Sequence, residues 1–232
     1  QVSEVNRELE AFSYSVSHDL RAPLRHIGGF ADKLSRHLGE AKDEKSIHYL
    51  QTISNSARRM SRLIDDLLSY ARAGRAATQY QFVDLQELVQ GVLEIEPIPE
   101  GFVIELNLAV APFQATRTPL ETVLRNLIAN AVKHHDRATG QIRVQAHEDD
   151  SYCEVSVTDD GPGIPEESRD RVFQPFTRLD DSRTRSTGGY GLGLSIVSRI
   201  VYWFGGTIRV DRSETLGGAR FIMRWPMHQP RL

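Results

Sequence analysis

The 232-residue chain holds one cysteine, Cys153, so no disulfide can form within it. A lone cysteine in an alternating apolar run reads as a small core residue. Its isolation fits a reducing, cytoplasmic compartment. No stretch approaches the roughly 20 apolar residues that span a bilayer, so no membrane segment is expected in this fragment. Neither charge dominates: 28 Lys and Arg stand against 31 Asp and Glu, a net charge of −3. General attraction to nucleic acid or anionic lipid is therefore excluded as the main activity. Internal repeats are also lacking. The opening "QVSEVNRELEAF" is acidic and amphipathic and has no layout of a secretion signal. It begins without Met and already in helical phase, so we expect it to be cut from a longer chain.

What is present falls into two periods. In the first part apolar residues recur at Val5, Leu9, Phe12, Val16, Leu20, Ile27, Phe30, Leu34 and Leu38, mostly in steps of three and four. A second run holds Leu50, Ile53, Ala57, Met60, Ile64, Leu67 and Ala71. The spacing predicts two long helices, about 1–39 and 44–74, joined by a turn in "HLGEAKDEKS". A lone hairpin cannot bury two such stripes well, so a four-helix bundle built from two chains is expected, with a hairpin packed against its own second domain as the alternative. "ARAGRAATQYQ" is small and polar and reads as the linker. Beyond it "FVIELNL", "QIRVQAHE" and "YCEVSVTDD" alternate as strands, and "GTIRVDRS" and "ARFIMRWP" read as a closing hairpin. "TPLETVLRNLIANAVKHH" and "GLGLSIVSRIVYWFG" read as helices, the first with Thr118 as cap and Pro119 at its first position. The fold class is α+β. A helical hairpin (1–77) precedes a sandwich (78–232) of one helical layer over one mostly antiparallel sheet.

Three stretches of the second part carry chemistry. "DDGPGIP" ends a strand with Asp159, a carboxylate able to accept from an exocyclic amine. Gly161 and Gly163 let backbone approach a flat ligand. Alone it reads better as an Asx-Gly turn. "GGYGLGLSI" opens a helix, whose free amides attract phosphate. It fits neither the dinucleotide fingerprint nor a Walker loop, and a hinge would explain it as well. In "RNLIANAVKHH", Asn126, Asn130, Lys133 and His134 fall near one helical face. That face would otherwise be a solvated one opposite Leu124, Leu127, Ile128 and Ala131.

Taken together and in order, these motifs resemble the sensor histidine kinases, and more distantly the ATPases of the gyrase, Hsp90 and MutL type. "RNLIANAVKHH" is similar to the N box, "VTDDGPGIP" to the G1 box, "VFQPFTRLD" to the F box and "GGYGLGLSI" to the G2 box. "SVSHDLRAPLRHI" is similar to the H box, and its wording also resembles phytochrome-like output modules. The resemblance implies that Asp159 binds the adenine amine of ATP, with Gly161, Gly163 and Ile164 shaping the pocket. It implies that Asn130 holds Mg²⁺, that Asn126 and Lys133 support the phosphates, and that His134 lines the site. Gly189, Gly191, Leu192 and Gly193 surround the phosphate end, and Phe173 and Phe176 anchor an ATP lid, "TRLDDSRTRSTG". His18 is then the phosphorylated nucleophile and Asp19 its orienting acid. Zinc at His18 is disfavoured, because His26 and His37 share its helix face only loosely. The flanking apolar seam places His18 on the exterior flank of the bundle.

The implied partners are a second copy of the chain, a response-regulator receiver domain and an upstream sensor domain. Pro23 releases the carbonyl of Asp19 from its helical bond, so a bend is expected there. Three positions depart from the common pattern, among them Tyr190, which stands where Thr is common. Ala22 stands where Thr or Asn orients a water for phosphatase action, and Asp160 stands where Asn is usual. A clamp-type ATPase and a nucleotide-binding dimerisation scaffold remain the alternatives.

Overall fold

The structure is a computed structural model that describes residues 2–39, 43–72, 79–149, 151–177, 179 and 191–227; for 2–19, 59, 62, 63 and 65–72 it describes the backbone alone. The chain forms two compact units, Gln1–Arg72 and Ala73–Leu232.

The first unit is a hairpin of α1 (Val2–Leu38) and α2 (Glu44–Arg72). Asp43 starts α2: its Oδ1 accepts the Ser46 N–H at 2.7 Å. The Ser46 side chain and then its amide hold the Asp43 carboxyl below its ordinary range. Pro23 lies inside α1 without ending it. The hairpin contact is made by Leu24 and Ala31 of α1 with Leu50, Ala57 and Ile64 of α2, all buried and spaced by sevens. The expected stripe lies beside that contact: Leu20, Ile27 and Leu34 are 42–50% exposed. So are Ile53 and Met60 of α2. Each helix thus carries two heptad seams three residues apart, and the hairpin uses one of them. A single period-3.6 stripe does not distinguish the two, because both fall within one broad apolar face.

The second unit begins with β1 (Gln81–Val83) and α3 (Leu85–Ile95). Asp84 caps α3: its Oδ1 accepts from the Gln86 and Glu87 amides at 2.8 and 3.3 Å. Next come β2 (Phe102–Ala109), β3 (Phe113–Ala115) and α4 (Arg117–Lys133). β4 (Gly140–Asp149) and β5 (Tyr152–Asp159) follow, then two short 3₁₀ turns. α5 (Gly193–Trp203), β6 (Thr207–Arg212) and β7 (Ala219–Pro226) close the unit. β1 pairs with β3, and the main sheet runs β2–β4–β5–β7–β6. Only β2 with β4 is parallel within it, so the sheet is mostly antiparallel, as the alternation suggests.

The cap of α4 differs from the expected Thr118. β3 ends at Ala115, which pairs with Gln81. The chain therefore enters the helix at Thr116, whose carbonyl accepts the Leu120 N–H at 3.3 Å, and Pro119 becomes the third helical residue. Leu120, Leu124, Leu127 and Ile128 of α4 are fully buried, with Ile196, Val197 and Ile200 of α5 beside them. They pack with the apolar face of the sheet, where Val144, Val157, Phe221, Met223 and Trp225 are buried. Alternation along β5 puts Cys153, Val155, Val157 and Asp159 on that same face. Cys153 is fully buried, and burial, with Glu148 nearby, pushes its thiol up to about 12.

Candidate functional site

Asp159 is the polar end of an apolar row. Its residue is 7% exposed. Its Oδ1 accepts two main-chain amides, Gly161 N–H and Ala219 N–H, each at 3.0 Å. Both bonds go to one oxygen, which leaves Oδ2 for a ligand. Burial raises this carboxyl above its ordinary value, and the two amides only partly offset that. Gly218 makes the approach of β7 possible, since a Cβ there would lie 2.2 Å from Asp159 Oδ1. Gly163 packs against Gly218, and Ile164 follows half-buried. Gly218 and Ala219 escaped the sequence reading because they lie about sixty residues from Asp159; the Gly217–Gly218 pair before a strand was the available signal.

The residues expected to meet the phosphates lie on α4 and at the start of α5. Asn126 Nδ2 donates to the Thr122 carbonyl at 2.8 Å. Its Oδ1 lies 3.1 Å from where a Cβ on Gly193 would be, so the asparagine face of α4 abuts the start of α5. No side chain caps α5, and its first-turn amides lack helical partners by construction. Leu192 is buried beneath them. Asn130 is half-buried on the same face as Asn126, while Lys133 and His134 occupy the exposed last turn, His134 as C-cap.

The F-box aromatics divide their roles. Phe173 meets Phe221 edge-on at 6.3 Å. The Phe176 side chain, expected as a second anchor, is 62% exposed. Its main chain anchors instead: φ is +63°, and its N–H donates to the Gly191 carbonyl at 3.0 Å. Gly191, at φ +73°, leaves 2.5 Å between a would-be Cβ and the Thr177 carbonyl, so no side chain fits there. Gly189 and most of the expected lid lie outside the described residues. His18 and Asp19 lie in α1, but their side chains are likewise outside them.

A second cluster adjoins Asp159 and was not anticipated. The His135 side chain is 1% exposed, and its Nε2 lies 2.8 Å from Asp160 Oδ1. Arg137 N–H donates to His135 Nδ1 at 3.2 Å, which assigns the other ring proton to Nε2 as donor. The Arg137 guanidinium donates to the Asp160 carbonyl and, at 3.0 Å, to Asp160 Oδ2. The extra negative charge of Asp160 is therefore paired rather than left beside the site. Burial would raise the Asp160 carboxyl, but the Gln141 amide, His135 and Arg137 hold it below the ordinary range.

With this geometry in view, comparison with known proteins is direct. Residues 115–229 match the histidine kinase-, DNA gyrase B- and HSP90-like ATPase family, and residues 8–76 match the His Kinase A (phospho-acceptor) domain. The sensor protein RstB of Escherichia coli is 33% identical over 91% of this chain and 47% of its own length. Cyanobacterial phytochrome B of Nostoc is 34% identical over 96% of this chain and 30% of its own length. This chain thus spans about half or less of these relatives. Full-length ShkA, solved in complex with AMPPNP, superposes with a TM-score of 0.72 at 28% identity, covering 96% of this chain and 47% of that one. The histidine kinase ThkA, solved in complex with the response regulator TrrA, gives 0.62 at 26% identity, covering 96% and 64%. A phospho-acceptor hairpin followed by an ATPase-type sandwich is the class these features define. The chain belongs to the sensor histidine kinases and carries their catalytic core.

Proposed function

We propose that this core transfers the γ-phosphoryl group of ATP to His18 and passes it on to an aspartate of a response-regulator receiver domain. The observation that supports it most is the Asp159 carboxylate, with Oδ1 filled by two amides and Oδ2 open. A carboxylate only accepts. It therefore suits the amine of adenine and opposes the carbonyl that guanine presents at the same place.

The first-turn amides of α5 and the Lys133 ammonium hold the phosphates. The Asn126 and Asn130 amides lie on the helix face turned toward that end. One amide oxygen from Asn130, completed by phosphate oxygens and water, is a donor set that suits Mg²⁺, which takes few protein ligands. When bound, Mg²⁺ supplies neutralisation of phosphate charge. The neutral His18 imidazole attacks the γ-phosphorus through one nitrogen, while Asp19 holds the proton on the other. The N–P bond forms as the bond to the ADP oxygen breaks.

Two copies of the 1–77 domain pair through the seam left open by the hairpin, and 78–232 forms the catalytic domain of each. Ala22 is exposed and offers no polar group to orient a water. Phosphatase activity toward the cognate regulator is therefore weak, and Ala22→Thr is expected to raise it; phosphatase assays on the two chains compare them directly. The transfer itself is tested with γ-labelled ATP. Acid-labile, base-stable label on the wild-type chain, absent from His18→Ala, is the expected result. Phosphate release without protein label would overturn the reading.

A further inference from the structure

We propose that His135 is a positioning residue for adenine recognition: through Asp160 it fixes the turn that presents Asp159 to the base. This rests on the nucleotide reading above. The slot that holds His135 is built for its ring. Phe102 meets the ring edge-on at 5.2 Å. A Cβ on Gly140 would lie 2.6 Å from His135 Nε2, and one on Gly161 would lie 3.4 Å from its Cδ2. The ring is thus wedged between the start of β4 and the turn that follows β5.

From that slot a closed set of bonds reaches the base-binding carboxylate. Arg137 N–H fixes the His135 tautomer, and Nε2–H donates to Asp160 Oδ1. The same oxygen accepts Gln141 N–H at 2.7 Å, and Asp160 N–H returns to the Gln141 carbonyl at 3.2 Å. Asp160 is therefore tied by side chain and main chain to one residue of β4. Its next peptide supplies the Gly161 N–H that occupies Asp159 Oδ1. If Asp160 is released, that amide is no longer held in place, and the orientation of Asp159 Oδ2 is lost with it. His135 touches no ligand in this scheme; it acts through Asp160.

The test uses the whole 232-residue chain. Calorimetric titrations with ADP and with inosine diphosphate, which carries a carbonyl in place of the amine, are run beside the ATP dependence of autophosphorylation. Wild type is expected to prefer ADP. His135→Ala is expected to raise the KM for ATP about ten-fold with kcat within about two-fold, and to shrink the preference for ADP by a similar factor. His135→Gln, whose amide can donate to Asp160, is expected to recover most of both losses. Should His135→Ala not fold, Arg137→Ala tests the same link from the surface, with an expected KM rise of about three-fold. An unchanged KM and ADP preference in a folded His135→Ala chain would overturn the proposal and leave the nucleotide reading standing. Equal loss of both diphosphates would overturn it as well, since that signals general loosening. Failure of wild type to bind ADP at all would overturn both.

Discussion

Asp159 and Asp160 are sequence neighbours whose carboxyls move in opposite directions. Burial raises Asp159, so the folded state holds its proton more tightly than the unfolded chain. Stability therefore falls as pH rises from the ordinary value to the raised one, and the full cost persists at neutrality. Asp160 is lowered, so its contribution is present above the ordinary carboxyl value and is lost as pH falls through the folded value. Asp159→Asn keeps an oxygen for the Gly161 and Ala219 amides, removes the buried charge and turns an NH₂ group toward the ligand. The expected outcome is a neutral-pH Tm equal to or above wild type, with affinity for ADP reduced about 100-fold; thermal melts and calorimetry check the two halves. Asp159 was legible only because its strand-end acid and two glycines stand in order between an asparagine-bearing helix and a second glycine cluster; alone the stretch reads as a turn. His135 was not. In the doublet His134–His135 nothing local says which ring turns inward, and its partner lies 25 residues away.

At the scale of elements, helix content was easy to read and helix faces were not. α4 was recognised by its start signals, Thr118, Pro119 and Glu121, yet that start was misplaced by two residues because the three-residue β3 left no composition signal. The consequence is specific. Thr116 caps α4 by main chain alone, and its hydroxyl is buried without a partner among the described residues. Thr116→Val keeps the shape, loses no cap bond and removes the desolvated hydroxyl. It is expected to stabilise by about 1 kcal/mol, read as a Tm rise of about 2–4 °C. The seam of Leu20, Ile27 and Leu34 is apolar but not used within the hairpin. Ile27→Glu leaves Leu24, Ala31 and their α2 partners intact. Sedimentation is expected to show at least a 100-fold weaker dimer while circular dichroism shows unchanged helix content.

For the whole molecule, the division into two units separates the proposed phosphate acceptor, His18, from the residues proposed to hold the nucleotide. One chain can then serve another. Mixing His18→Ala chains with Asn130→Ala chains tests this: label on the Asn130→Ala partner means transfer between chains, and no label means transfer within one. The single cysteine bears on how such transfer is followed. Cys153 is fully buried in the sheet and burial raises its thiol well above the ordinary value, so thiol reagents find no target on the folded chain. A cysteine introduced at one surface position would be the sole attachment point for a fluorophore or spin label. With one such cysteine placed in the hairpin and a second in the ATPase unit, distances between the two labels during a catalytic cycle can be measured without first engineering away the native thiol.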